Sequence, residues 1–241
     1  MDWTLIYIVA SLLILPVLIY GAIAQSNVNA TFHKFSNKLS SSGKSAAIYA
    51  QQLLVKAGVL NVKVVPINGR LTDCYDPKRK VVKLSDATYT STSIAAIGVA
   101  THEVGHAIQD AKGSFLFKLR IALVPICNFI SYAYIPLIFV GSILSFTFYI
   151  ETVGYYICLA SIVMYGASLL FQLVTLPLER DASNKALKLL SESGDFSDTE
   201  LAQAKKVLNA AIQTYIAGTL TSLVYFLRFL SYAMIFTRRR D

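Results

Sequence analysis

Ala100-Thr101-His102-Glu103-Val104-Gly105-His106-Ala107-Ile108-Gln109 is the stretch on which the reading of the whole chain turns. It continues the apolar run Ile94-Ala95-Ala96-Ile97-Gly98-Val99, with hydroxyls at Ser91 to Ser93 to start a helix and Gly113 to end one. The spacing predicts a helix over residues 92–112. Two histidines four apart on such a helix project from one face. With 3 His and 5 Glu in 241 residues, a chance His-Glu-x-x-His is expected in roughly one chain in a thousand of this composition. Composition alone therefore does not account for the pattern.

On that face, neutral imidazole nitrogens of His102 and His106 can share one tetrahedral Zn2+ ion. Glu103 stands beside the metal rather than on it. Its carboxylate can take a proton from a water whose pKa the zinc has lowered and later return it to a leaving amine. Gly105 and Ala107 keep the helix slim, which allows close packing beneath the site.

Upstream, the Ser40-Ser41-Ser42-Gly43 loop is expected to cap a helix over residues 44–57, which Gly58 ends. Valine-rich residues 62–67, a turn at Asn68-Gly69, then residues 71–75 and 81–84 flanking Asp76-Pro77-Lys78-Arg79, predict a small antiparallel sheet. That sheet is either an ordinary structural hairpin or the edge along which an extended substrate pairs.

Further out, the chain turns apolar. At 55% hydrophobic and 15% charged residues it lies outside the range of ordinary soluble domains. The apolar residues fall in runs long enough to cross a hydrocarbon layer of about 30 Å. Residues 3–24 carry no charge. No Lys or Arg precedes them, so an uncleaved anchor is expected rather than a signal peptide, although Ala22-Ile23-Ala24 resembles a cleavage site. Residues 121–150 and 152–178 are also uncharged and read as a transmembrane hairpin, 121–176, with Glu151 near its tip and bends at Pro125 and Pro136. A fourth run, 215–236, contains Arg228 and many hydroxyls and either spans or lies in the interface.

The hairpin returns the chain to the motif's side at Pro177, and Glu179 follows at once. A catalytic zinc needs a third protein ligand, and in a helix over residues 177–211 this carboxylate can point back at the histidine pair. An acid at a helix start also complements the helix dipole without binding anything. Asp181 is expected to face elsewhere, Ser183 to be within reach of the site, and His33 to be a surface histidine. Tyr75, Tyr89 and Arg180 are candidate donors to an oxyanion.

Of the 22 Lys and Arg, 13 lie in residues 25–120 and 5 in 179–211, which by the positive-inside rule puts both polar segments in the cytoplasm. The net charge of +8 points to anionic lipid headgroups rather than nucleic acid, since no basic groove with interleaved aromatics is visible. Cys74, Cys127 and Cys158 have no paired spacing, so neither a disulfide framework nor a thiolate zinc site is expected.

The chain resembles the YugP-like neutral zinc metallopeptidases of bacterial membranes. The likeness rests on Leu71-Thr72-Asp73-Cys74-Tyr75-Asp76-Pro77, on residues 100–109, on Arg120 with Val124-Pro125 and Asn128, and on Leu176-Pro177-Leu178-Glu179-Arg180-Asp181-Ala182-Ser183. The resemblance implies peptide hydrolysis at a gluzincin-type site, with Glu179 matching the third-ligand glutamate, similar to the HtpX and CAAX prenyl protease class. The chain departs from the family at Cys74, where His is usual, and at Ser183, where related gluzincins carry Asp.

The expectation is thus a mainly α, integral membrane protein with three to four transmembrane helices. A cytoplasmic α+β zincin-like catalytic region, 25–118, is split from the 177–211 helix by the hairpin. The expected function is zinc-dependent hydrolysis of protein or peptide substrates at the bilayer surface of a bacterial cell. The alternative is a non-catalytic zinc-binding membrane scaffold or regulator. Metal transport is disfavoured because the confident spans lack intramembrane ionisable residues.

Overall fold

The computed structural model describes residues 2–146 and 151–238. In chain order the elements are α1 (Trp3–Ser36), α2 (Ala46–Lys56), β1 (Lys63–Ile67), β2 (Cys74–Asp76), β3 (Val81–Ser85), α3 (Ile94–Ala111), α4 (Phe115–Phe146), α5 (Glu151–Ser193) and α6 (Asp198–Arg238). They divide into two compact units. One comprises Ile23–Lys118 and Pro177–Thr214, the other Met1–Ala22, Leu119–Leu176 and Tyr215–Asp241.

The first unit is built around α3. Ser93 caps that helix from an extended conformation (φ −76°, ψ 154°), its Oγ accepting the Ala96 N–H at 3.2 Å. Gly113 ends it in the left-handed region at φ 66°. Ser45, rather than the 40–43 loop, caps α2 in the same way, and Gly58 at φ 74° closes it. The two helices pack on each other and against the sheet, α2 beside β1 and α3 beside β2 and β3, in a core that includes Leu53, Leu54, Val82, Leu84, Ile97 and Val104, all buried. Removing these side chains from water is the main stabilising term, at about 25 cal/mol per Å² of apolar surface.

The sheet is mixed, not antiparallel, with strand order β1-β3-β2. β1 pairs parallel with β3, and β2 pairs antiparallel with its other edge. The Asn68-Gly69 segment is therefore no hairpin turn. Gly69, at φ 114°, donates its N–H to Asp86 Oδ2 at 2.9 Å and accepts the Asp86 N–H on its carbonyl. Asp73 accepts the N–H and hydroxyl of Ser85 at 2.8 and 2.9 Å. These bonds tie the loop to the far end of β3 and carry the chain past it, so β2 forms on the opposite side. The second turn does form a hairpin, with Asp76 Oδ1 accepting the N–H groups of Lys78 and Arg79.

The expected single helix over 177–211 is two. α5 ends before Gly194, at φ 75°, and α6 opens on a capping box in which Ser197 and Glu200 exchange hydrogen bonds. The Glu200 carboxylate also receives the N–H and hydroxyl of Ser41.

The second unit is helical. Among the described residues, four helices are long and apolar enough to cross a membrane: Trp3–Ser36, Phe115–Gly141, Thr152–Ser193 and Asp198–Ile235. Residues 147–150, where the hairpin tip was expected, lie outside the described residues, as do Arg239 and Arg240. Large apolar side chains such as Leu12 (71% exposed) and Phe129 (69%) point outward, while Ala10, Ser161, Ala217 and Ser231 are buried. That inversion suits lipid surroundings, where small residues let helices approach closely. At Gly141 a Cβ would lie 2.7 Å from Cys158 Sγ and 2.8 Å from the Gly154 carbonyl, so α4 and α5 touch backbone to backbone there.

Candidate metal centre

His102 and His106 lie one turn apart on α3, with ring centroids 4.7 Å apart and planes at 84°. The Glu179 carboxylate, on the α5 turn that follows Pro177, reaches between them. Its Oε2 is 3.1 Å from His102 Nε2 and 3.4 Å from His106 Nε2. Among the described residues this trio is the one group of His, Cys, Asp or Glu side chains close enough to hold a metal, with ligand atoms all within 4.8 Å of one another. His106 and Glu179 are buried and His102 is half-buried.

Two features bring α5 this close. Leu178, Ala182, Ala186 and Leu190 form a buried stripe at helical spacing, with Glu179 and Ser183 beside it. Gly105 presents no side chain to it: a Cβ there would sit 2.6 Å from the Ala182 carbonyl oxygen. Only glycine permits the contact without a shift of backbone.

The imidazoles are held from behind. Gln109 Nε2 donates to the Leu178 carbonyl at 3.0 Å and to Asp181 Oδ2 at 2.7 Å. With both amide hydrogens spent on acceptors, Gln109 Oε1 faces His106 Nδ1 at 2.9 Å as an acceptor. His106 therefore carries its proton on Nδ1 and turns an Nε2 lone pair toward Glu179. Ser183 Oγ lies 3.1 Å from His102 Nδ1. Asp181, expected to face elsewhere, stays off the metal trio but is coupled to it through Gln109, and Lys185 pairs with it. Gln109 escaped the sequence reading, although its place three residues after His106 puts it on the same face.

Glu103 is buried beside the trio without joining it, and the Tyr75 backbone N–H is directed at its carboxylate. Burial pushes its pKa up to about 7, with His102 opposing and Glu179 reinforcing the shift. Glu179 behaves differently. Burial acts to raise its pKa, but the imidazoles of His102 and His106 beside it outweigh that and hold it far below the usual carboxylate range. Cys74 is half-buried outside the trio, its thiol pushed up by burial and then by the Glu103 charge. Tyr75 donates its hydroxyl to Asp110 at 2.7 Å and Tyr89 packs against the core, while His33 and Arg180 are exposed.

The donor set fits zinc. The His106 Nε2 lone pair and the Glu179 carboxylate oxygen face each other as acceptors, which a cation between them resolves. Ligands about 2.0–2.1 Å from a tetrahedral zinc stand roughly 3.3 Å apart. The two separations measured from Glu179 bracket that distance, at 3.1 and 3.4 Å.

Residues 10–234 match the protein family described as "Putative neutral zinc metallopeptidase". The chain is also 40% identical over 218 residues, 90% of its length and 92% of the relative's, to the "Putative membrane protease YugP" of Bacillus subtilis (strain 168). No solved structure matches it. The match spans nearly the whole chain and encloses both the histidine pair and Glu179, so this protein belongs to the neutral zinc metallopeptidase family, with Zn2+ as its cofactor.

Proposed function

We propose that the chain is a membrane-embedded zinc peptidase of gluzincin type that hydrolyses internal peptide bonds of membrane proteins or peptides near the cytoplasmic face. The observation that carries this reading is the convergence of His102, His106 and Glu179 with a buried fourth group, Glu103, alongside. Zinc held by the trio supplies Lewis acidity toward a carbonyl and lowers the pKa of water. Glu103 accepts the proton from the water as it attacks the scissile carbonyl carbon, then delivers it to the leaving amine nitrogen. Gln109 and Asp181 keep the His106 ring oriented, and Ser183 does the same for His102.

Substrate geometry follows from β2. It occupies one edge of the sheet, and Tyr75 links it to Glu103. An extended peptide pairing along that edge lays its backbone beside the base, with recognition by backbone shape more than by side chains. A purely structural zinc site has no use for a buried acid next to the metal, which is the argument against a scaffold.

The test is Glu103→Gln in the full-length protein. Peptide cleavage should fall by about 10²–10⁴-fold, the usual worth of a general base. Bound zinc, measured by elemental analysis, should stay at about one per chain. Loss of zinc with the substitution would make Glu103 a ligand and overturn the assignment of roles. Comparing the membrane proteomes of cells carrying the wild type and this variant should reveal the substrates as the proteins that accumulate.

A further inference from the structure

A second site lies away from the metal centre, in a groove of about 360 Å³ between α1 and α6. Asn27, Thr31 and Lys34 line it from one face of α1, at spacings of four and three residues. Lys206, Asn209 and Gln213 line it from one face of α6 at similar spacing. The buried side chains of Phe35 and Ala210 close its floor. Thr31 donates its hydroxyl to Asn27 Oδ1 at 3.2 Å, which turns the Asn27 amide hydrogens outward.

The groove is selective in charge. Both lysines are exposed, and neither makes an ion pair among the described residues. The chain has no Asp or Glu from residue 3 to 72, nor from 201 to 240; α6 opens on Asp198 and Glu200, but neither lines the groove, and Glu200 is engaged by Ser41 and Ser197. Two ammonium groups, amide N–H donors and no acid specify an anion with several acceptor oxygens.

Its place on the helices selects the kind of anion. Asn27 comes three residues after the apolar run 3–24, and Gln213 two residues before the run 215–236. Both groove walls thus begin within one turn of an apolar stretch of their own helix. Lys34 and Lys206 stand further out, with stems long enough to reach back toward the bilayer surface. Basic pockets at such boundaries hold phospholipid headgroups.

We propose that this groove binds the phosphate-bearing headgroup of an anionic phospholipid, its acyl chains lying along the apolar stretches of α1 and α6. The inference rests on the membrane-embedded part of the functional reading and is independent of the hydrolysis itself. Lys34 and Lys206 pair with the phosphate, and Asn27, Asn209 and Gln213 hydrogen-bond its ester and headgroup oxygens. A free phosphate ion would meet the same donors but would lose the contribution of the chains.

The experiment uses the full chain reconstituted into phosphatidylcholine vesicles with and without phosphatidylglycerol. Flotation with either vesicle tests embedding, and a chain that does not float overturns both readings. Native mass spectrometry of the re-extracted protein should find phosphatidylglycerol retained over phosphatidylcholine. Retention by K34Q/K206Q should drop roughly tenfold or more, two lysine contacts being lost. The control K56Q/K78Q, with the same loss of charge elsewhere, should retain lipid like the wild type. Equal losses in both variants would mean diffuse attraction, and no preference for phosphatidylglycerol would mean no headgroup site. Glycerol phosphate binding as tightly as the lipid would mean a soluble-anion site. Each of these three outcomes overturns the proposal.

Discussion

Gln109 makes the metal centre asymmetric. Its carboxamide spends both hydrogens on Leu178 and Asp181, which leaves one orientation for the oxygen and one tautomer for His106. Behind His102, among the described residues, stands the Ser183 hydroxyl, a group that rotates and can donate or accept. Gln109→Leu should therefore lower zinc affinity about 10–100-fold, the usual effect of removing a ligand's supporting partner. Ser183→Ala should cost less, since His102 is half-buried and water can take over. Competition with a zinc chelator of known affinity measures both, and unchanged affinity in Gln109→Leu would remove the orienting role. Glu179→Ala should lower zinc binding and cleavage together, in contrast with Glu103→Gln. The histidine pair was legible because two ligands and a base lie within five residues of one helix. Gln109 and Asp181 were not, because their role exists only once α5 is laid against α3 in a particular phase, which no local spacing encodes.

At the scale of elements, two glycines of α3 sit in unlike surroundings. A Cβ at Gly105 would lie 2.6 Å from the Ala182 carbonyl oxygen and 3.2 Å from its Cα, whereas at Gly98 the nearest atom is Ala204 Cβ at 3.7 Å, an ordinary contact. Gly105→Ala must push α5 away or bend α3, and overpacking of this kind costs about 1–3 kcal/mol. Because Glu179 rides on the same turn as Ala182, zinc affinity should fall as well. Gly98→Ala adds a methyl at ordinary contact distance in a helix interior and should stabilise by roughly 0.5–1 kcal/mol. Thermal unfolding of the two variants in detergent should shift in opposite directions, and a stabilising Gly105→Ala would contradict the close approach. The sheet shows where local reading ended. Asn68-Gly69 has turn composition, and alternation cannot distinguish a parallel from an antiparallel neighbour. What decided the topology was the fastening of residues 69 and 73 to 85 and 86, contacts made by loop side chains. The α5–α6 break was written in Gly194 and in the Ser197-to-Glu200 capping box, both visible in the sequence.

For the molecule as a whole, charge supplies the argument for orientation. Lys and Arg crowd residues 25–120 and 179–211, while none precedes Trp3 and none lies between Ile121 and Leu178. The positive-inside rule leads us to propose the metal-bearing unit on the cytoplasmic side and the region of residue 151 on the outer side. The end of the chain is the harder case, because a spanning α6 carries Arg238 to Arg240 outward, against the rule. Length favours spanning, since the stretch from Tyr215 to Arg238 rises roughly 35 Å at 1.5 Å per residue, enough to cross about 30 Å of hydrocarbon. Arg228, the main objection from composition, is half-buried and stacks on the Tyr7 ring at 5.6 Å, so it is not turned to lipid. Single cysteines placed at 78, 151 and 241 in a background with Cys74, Cys127 and Cys158 changed to Ser separate the possibilities. An impermeant thiol reagent applied to intact cells should label 151 and 241 and miss 78. Labelling at 78 would invert the topology and put the metal centre outside, where cytoplasmic substrates could not reach it. Labelling at 151 alone would mean that α6 turns back or lies along the interface, which keeps the cytoplasmic site but removes the fourth span.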